Sequence, residues 1–168
     1  VLTMQKLWLK GSDVFYALTE MRSNDLGRTW MGPYEHTATL GRRDEPNGVI
    51  VAASDFWPKW HAKSGKLLGI GHTVRYTNNR VDSTLSRQTV YSVYDPEKRT
   101  WSAWRPLDLP ASDPASFNSG AGSVQRVDLP DGDILLPVYG KRTGAADYSS
   151  RVFRCRFDGS TLSVIEPG

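Results

Sequence analysis

The eight residues Ser23-Asn24-Asp25-Leu26-Gly27-Arg28-Thr29-Trp30 constrain the fold more than any other part of the chain. They read S-x-D-x-G-x-T-W, and each fixed position has a mechanical role. Asp25 is placed to accept backbone N–H bonds within a turn. Gly27 supplies a positive-φ conformation that most side chains avoid. Thr29 and Trp30 are expected to open a new strand and to carry a large aromatic into the core. Such a segment specifies architecture before chemistry.

The rest of the chain agrees with a sheet protein. Hydrophobic periodicity is two almost throughout, and no stretch reads as an amphipathic helix. Strand-like runs fall near 3–9, 13–21, 29–34, 50–61, 66–76, 87–94, 101–107, 121–129, 133–140, 150–157 and 161–166. Turns are expected at Lys10-Gly11-Ser12, Lys63-Ser64-Gly65, Pro130-Asp131-Gly132 and Asp158-Gly159-Ser160. Six Trp and seven Tyr, punctuated by 15 Gly and 10 Pro, suit an all-β chain better than a bundle. In Arg151–Phe157, Phe153, Cys155 and Phe157 share one face of a strand. The lone cysteine therefore reads as a buried filler, and one cysteine excludes an internal disulfide.

An internal repeat narrows the architecture. Residues 61–68 align with 128–135 as a hairpin from first to second strand. Val90–Asp95 echoes Val152–Asp158 in the third strand, and Tyr94–Trp101 stands where a second S-x-D-x-G-x-T-W turn belongs. That copy keeps Thr100-Trp101 but loses the glycine and shifts the aspartate. Trp30 and Trp101 lie 71 positions apart, the spacing of an elaborated four-stranded unit.

These features resemble the Asp-box (bacterial neuraminidase repeat) of sialidases and related β-propellers, with Ser23, Asp25, Gly27, Thr29 and Trp30 as the structural box. The resemblance implies an all-β, sialidase-type propeller, with about three four-stranded antiparallel blades of an expected six. The approximate blades are 1–40, 41–110 and 111–168, which reads as a partial propeller domain completed by the rest of its own chain or by another chain. Two further landmarks carry it: Ser54-Asp55-Phe56-Trp57-Pro58 with Lys63–Leu68, and Ser119–Gln125 with Pro130–Pro137. The wording around Trp57, His61 and His72–Tyr76 resembles a divergent bacterial branch. Secreted or periplasmic localisation is the expectation from the family.

In that family, retaining hydrolysis uses a tyrosine nucleophile with an activating glutamate, an aspartate acid/base and three carboxylate-clamping arginines. A glycan with a terminal acidic sugar, sialic acid by the resemblance, is the implied ligand, and no cofactor is implied. Most of that equipment falls outside this sequence, so hydrolysis by this chain alone is not expected. Asp13 is the candidate acid/base, against the alternative of a turn aspartate opening a strand. Asp55 matches a substrate-contacting pocket aspartate, against a strand-start cap. Trp57 and His61 lie near it, and Asn118 and Gln125 could present amides to a ligand. His36 reads as part of a solvated connection, and Arg75 and Arg142 as surface arginines near the rim. A propeller that has lost catalysis and binds carbohydrate or protein is the alternative function.

Other classes fit less well. The net charge of +3 is spread without a Lys/Arg block, which argues against nucleic acid. No apolar run approaches the ~20 residues of a membrane-spanning helix. There is no G-x-S-x-G elbow, no phosphate-binding loop and no G-x-G-x-x-G. The histidines lack partners at metal-ligand spacing, and the hairpin itself explains Asp128, Asp131 and Asp133 without calcium, so no metal is expected.

Overall fold

A computed structural model describes residues 1–9 and 13–168, and the expected turn at Lys10-Gly11-Ser12 lies outside the described residues. The chain is all-β, as its period-two pattern requires, with every described pairing antiparallel. Three sheets follow one another along the sequence. The first contains β1 (Leu2–Leu9), β2 (Asp13–Arg22) and β3 (Met31–Glu35), in that order. A single helical turn, α1 (Thr37–Leu40), leads into the second.

The second sheet comprises β4 (Arg43–Glu45), β5 (Val49–His61), β6 (Lys66–Thr77), β7 (Arg80–Val81), β8 (Thr89–Asp95), β9 (Thr100–Trp101) and β10 (Arg105–Pro106). Its main path runs β10-β8-β6-β5-β4. The third holds β11 (Asn118–Gly120), β12 (Val127–Asp128), β13 (Asp133–Lys141), β14 (Ser149–Phe157) and β15 (Leu162–Glu166), with β11-β13-β14-β15 as its path. Among the described residues no helix is long and apolar enough to cross a membrane.

The second sheet is the middle layer, and strand alternation distributes its side chains among three buried clusters, one of them Ala52, Val74 and Tyr76 with Val14 of the first sheet. Val90, Tyr94, Trp101 and Phe56 join Leu18 and Leu40 in a cluster shared with the first sheet. Tyr91, Leu68 and Ile70 turn the other way, onto Ile134, Leu136, Phe153, Cys155 and Phe157 of the third. Each large side chain buried in this way contributes about 1.5–3 kcal/mol. Cys155 is fully buried as its pattern indicates, and desolvation pushes its thiol up to about 12.

Buried polar links fix the layers against one another. Glu20 on β2 has no exposed surface; its carboxylate accepts from Arg22 Nε and, at 2.8 Å, from Trp101 Nε1 of the second sheet. His36 Nε2 lies 3.0 Å from the same carboxylate. The connection holding His36 is thus buried against β2 instead of solvated, because an acid inside the first layer needs partners. On the other side, Arg126 donates to Leu68 O and Lys59 O at 2.8 and 2.9 Å and to Asp128 at 2.8 Å.

Arg126 also explains a departure from the expected strand at 121–129. Residues 121–126 leave the sheet so that the guanidinium can enter the second layer, and only β11 and β12 remain paired. The run at 101–107 is similarly divided, since Ser102 bonds back to Val93 through both its N–H (2.9 Å) and its Oγ (3.1 Å). Arg75 is not a surface arginine: Glu45 grips it in a two-pronged pair at 2.7 and 2.9 Å.

The turn at 23–30 forms as its residue types dictate, with one correction. Asp25 accepts from Thr29 N at 2.8 Å and from Thr29 Oγ1 at 2.6 Å, and Gly27 adopts φ 88°. These bonds hold the Asp25 carboxyl at about 2, below its ordinary 3.8. Trp30 does not enter the core. Its indole folds back to donate to Gly27 O at 3.0 Å and stays 42% exposed, and β3 begins one residue later. Trp101 is the member of the pair that is buried completely.

Candidate functional site

Strand β5 carries the site because it breaks its own register. Ser54 pairs with His72 and Trp57 with Ile70, so Asp55 and Phe56 together oppose one residue, Gly71. This is a β-bulge, which re-aims side chains that alternation would otherwise place. Asp55 takes φ 49°, a conformation costly for a residue with a Cβ. Phe56 swings into the core, edge-on to Trp101 at 5.1 Å, where only a glycine at position 69 leaves room for its ring.

The bulge leaves the Asp55 carboxylate 40% exposed at the mouth of a cleft of about 200 Å³ between the first and second sheets. Thr3, Gln5, Phe15, Trp57 and Ser123 line its walls. Gln5 braces β1 across the gap, donating to Tyr16 O and Ala53 O, both at 2.7 Å. Ser123 N donates to Asp55 O at 3.2 Å, tying the third sheet's connection to the bulge.

Behind Asp55 stands His72, with Nε2 3.8 Å from the carboxylate and only 5% of its side chain exposed. Burial pushes the imidazole down to about 4; Asp55 opposes that shift and Arg87 adds to it. The ring is therefore neutral at pH 7. Among the described residues its Nδ1 has no hydrogen-bond partner, and it packs against Gly122, where a Cβ would sit 2.1 Å from that nitrogen.

Asp13, the exposed first residue of β2, is on this side of the molecule too. Burial raises the Tyr76 phenol, and the charges of Asp13 and Asp55 both reinforce the shift. Both carboxylates are thus within electrostatic reach of one buried hydroxyl, which accepts from Phe15 N at 3.0 Å.

Of the residues marked in the sequence, Asp55 and Trp57 share the cleft, and Asp13 stands near it. The others are elsewhere. His61 is fully buried, with Nδ1 2.8 Å from Ser64 Oγ, Nε2 2.9 Å from Gly132 O, and its ring edge-on to Phe157. Both nitrogens being engaged, it joins the β5–β6 turn to the third sheet and has nothing to offer a ligand. Asn118 is buried and its Oδ1 accepts from Arg87 N at 3.3 Å, while Gln125 is exposed outside the cleft wall. A wider depression of about 870 Å³ lies beside His61 and Lys63, but those side chains already bond Gly132 O and Asp131 O.

Gln5, Phe15, Ser123 and the contact with His72 were not legible as site features in the sequence. The Gly69-x-Gly71 spacing within a strand was the available signal, since glycine inside a strand marks a bulge or a close approach. Chemically, the cleft offers a half-exposed acceptor beside an indole that is 47% exposed. That pairing suits a ligand with hydroxyl donors on an apolar ring face. Among the described residues no group of three His, Cys, Asp or Glu side chains could hold a metal ion. In comparisons with known proteins, the chain matches no family model, and no curated protein matches it.

Proposed function

We propose that the three sheets are consecutive blades of a sialidase-type β-propeller and that the cleft at Asp55 binds a sugar ring. The reading has this chain as part of a glycoside hydrolase acting on terminal acidic sugars of glycans, with most catalytic residues supplied from outside it. Three sequential antiparallel meanders support the architecture, as does the Asp25 turn joining the last two strands of the first. The observation that carries the ligand class is the Asp55 carboxylate, turned out by the bulge beside Trp57. A carboxylate accepting two hydroxyl donors under an aromatic face is a general solution for a polyol ring.

One finding favours the binding-only alternative for the chain by itself. Tyr76 and Tyr139, the phenols within electrostatic reach of Asp55, are both pushed up by burial. An attacking phenolate needs the opposite shift.

The test is NMR titration of the chain with methyl α-sialoside and methyl glucoside. Shifts should concentrate on Asp55, Trp57 and Ser123, and Asp55→Ala should weaken binding about tenfold or more. The same variant should leave the melting temperature within about 3 °C, since the lost group is half exposed and at the surface. Unshifted Asp55 and Trp57 signals at saturating sugar would rule the reading out.

A further inference from the structure

The polar side chains lining the Asp55 cleft share one hydrogen-bonding character. Gln5 gives its amide nitrogen to Tyr16 O and Ala53 O, at 2.7 Å each, so the capacity left to it is that of its carbonyl oxygen, an acceptor. The hydroxyls of Thr3 and Ser123 accept as readily as they donate, and a carboxylate such as Asp55 only accepts. Among the described residues, no lysine, arginine or histidine lines this cleft.

The charge of the carboxylate is not answered from behind either. Among the described residues its one ion-pair contact is with His72, at 3.8 Å, and burial keeps that ring neutral at pH 7. Asp13 brings a second negative charge to the same side, since both acids act on the Tyr76 phenol. The cations of this region serve other groups. Lys6 and Arg42 lie over the Tyr16 ring, each 5.5 Å from its centre, Arg42 also covers Tyr76, and Arg87 donates to the Tyr139 hydroxyl. A neutral ring seated on Asp55 strips water from a carboxylate that is 40% exposed and returns only hydroxyl contacts. A cationic ligand returns a countercharge as well. The walls suit one: Trp57, 47% exposed, is the aromatic type whose face attracts a cation most strongly, and Phe15 and Met4 add apolar surface.

We infer that the cleft selects a sugar carrying a free, protonated amino group, whose ammonium is held by Asp55 beside Trp57. The inference rests on the ring-binding reading of the cleft and narrows its ligand to an amino sugar. Three N–H donors and one positive charge match an acceptor-lined wall and a carboxylate without a countercharge. N-acylation removes the charge and two of the donors, so the acylated form is the one the cleft discriminates against. An acid group on the same glycan lies beyond the cleft, which among the described residues has no cation in its lining to receive it.

The experiment is a set of NMR titrations of the wild type and Asp55→Asn with methyl glucoside, methyl glucosaminide, the N-acetyl derivative of the latter, and cyclohexylammonium chloride. At about pH 6 the glucosaminide should bind about tenfold tighter than the glucoside or the N-acetyl form, with shifts at Asp55 and Trp57. That advantage should shrink as salt rises and vanish as pH rises past the ionisation of the amine, while glucoside binding holds. Asp55→Asn, a residue type that tolerates the φ of 49° at this position, should erase it. Equal affinities for glucoside and glucosaminide, indifferent to pH and to Asp55→Asn, would overturn the inference and leave the ring-binding reading standing. Tighter binding of the N-acetyl form would do the same. Cyclohexylammonium shifts at Asp55 and Trp57 without binding of any sugar would overturn the amino-sugar assignment together with the glycan reading and leave a bare ammonium site. No shift with any of the four would remove all three.

Discussion

The joint between the first and second sheets is where a single substitution tests the layering most directly. Glu20 is completely buried, and its carboxylate is shared by Arg22 of its own strand, Trp101 of the next sheet and His36 of the connection between them. Glu20→Gln keeps the shape but leaves the Arg22 guanidinium, 14% exposed, facing a neutral amide. Removing one member of a buried pair costs about 3–5 kcal/mol; the amide's remaining acceptor places this case near the low end, about 3 kcal/mol. For a domain of this size that corresponds to a fall of roughly 6–12 °C in melting temperature. Trp101→Phe deletes the indole donor and part of its volume, for about 2–3 kcal/mol. Because both changes act on one carboxylate, the double variant should lose at least about 1 kcal/mol less than the sum. Urea denaturation followed by far-UV circular dichroism at pH 7.5 measures all three. Additivity within about 0.5 kcal/mol, or a Glu20→Gln loss below about 1 kcal/mol, would refute the shared-carboxylate joint.

Two further outcomes follow from titration. His72 has its folded value depressed to about 4 from 6.5, so the unfolded chain binds more protons between those values. That stability is full above about 6.5 and is lost as pH falls; at pH 4.5 the loss is about 2–3 kcal/mol. Urea midpoints at pH 7.5 and 4.5 should therefore differ less in His72→Gln than in the wild type; equal differences would dismiss the burial argument. In the exposed turn, the Thr29 amide resonance should titrate with Asp25 at about 2, since its N–H is the donor lost when that carboxyl is protonated. A midpoint at the free value of 3.8 would mean the turn bonds do not persist in solution.

Much of the sheet pattern was legible because strand alternation is a local rule. Phe153, Cys155 and Phe157 fall on the buried face that their spacing assigns, and the hairpins after His61 and Leu129 close where Ser64-Gly65 and Asp131-Gly132 allow. What escaped the sequence depends on contacts between layers. Trp30 reads like Trp101, but only Trp101 meets an acid from a neighbouring sheet; Trp30 finds its partner in its own turn. His61 looks like a ligand-binding histidine next to two tryptophans, and only the arrival of Gly132 from the third sheet reveals it as a bolt. The stretch 121–126 has the composition of a strand, and it leaves the sheet because Arg126 finds carbonyls in the layer beneath.

The site itself was half legible for a related reason. Asp55 and Trp57 are two apart, and in a regular strand they would share a face, as they do at the cleft. A regular strand would then have put Phe56 on the opposite face with Ser54 beside it. The bulge instead inserts the pair Asp55-Phe56 against one residue, so the aromatic enters the first core while the acid turns outward at a positive φ. The burial of Phe56 against Trp101, worth about 1.5–3 kcal/mol, offsets the roughly 1–3 kcal/mol cost of holding a non-glycine residue there. A strained acid at a cleft, kept in place by an adjacent core aromatic and by a backbone bond from Ser123, has no role in the packing that placed it. Its only unfilled capacity is the carboxylate facing solvent, and the functional assignment stands or falls on what that group binds.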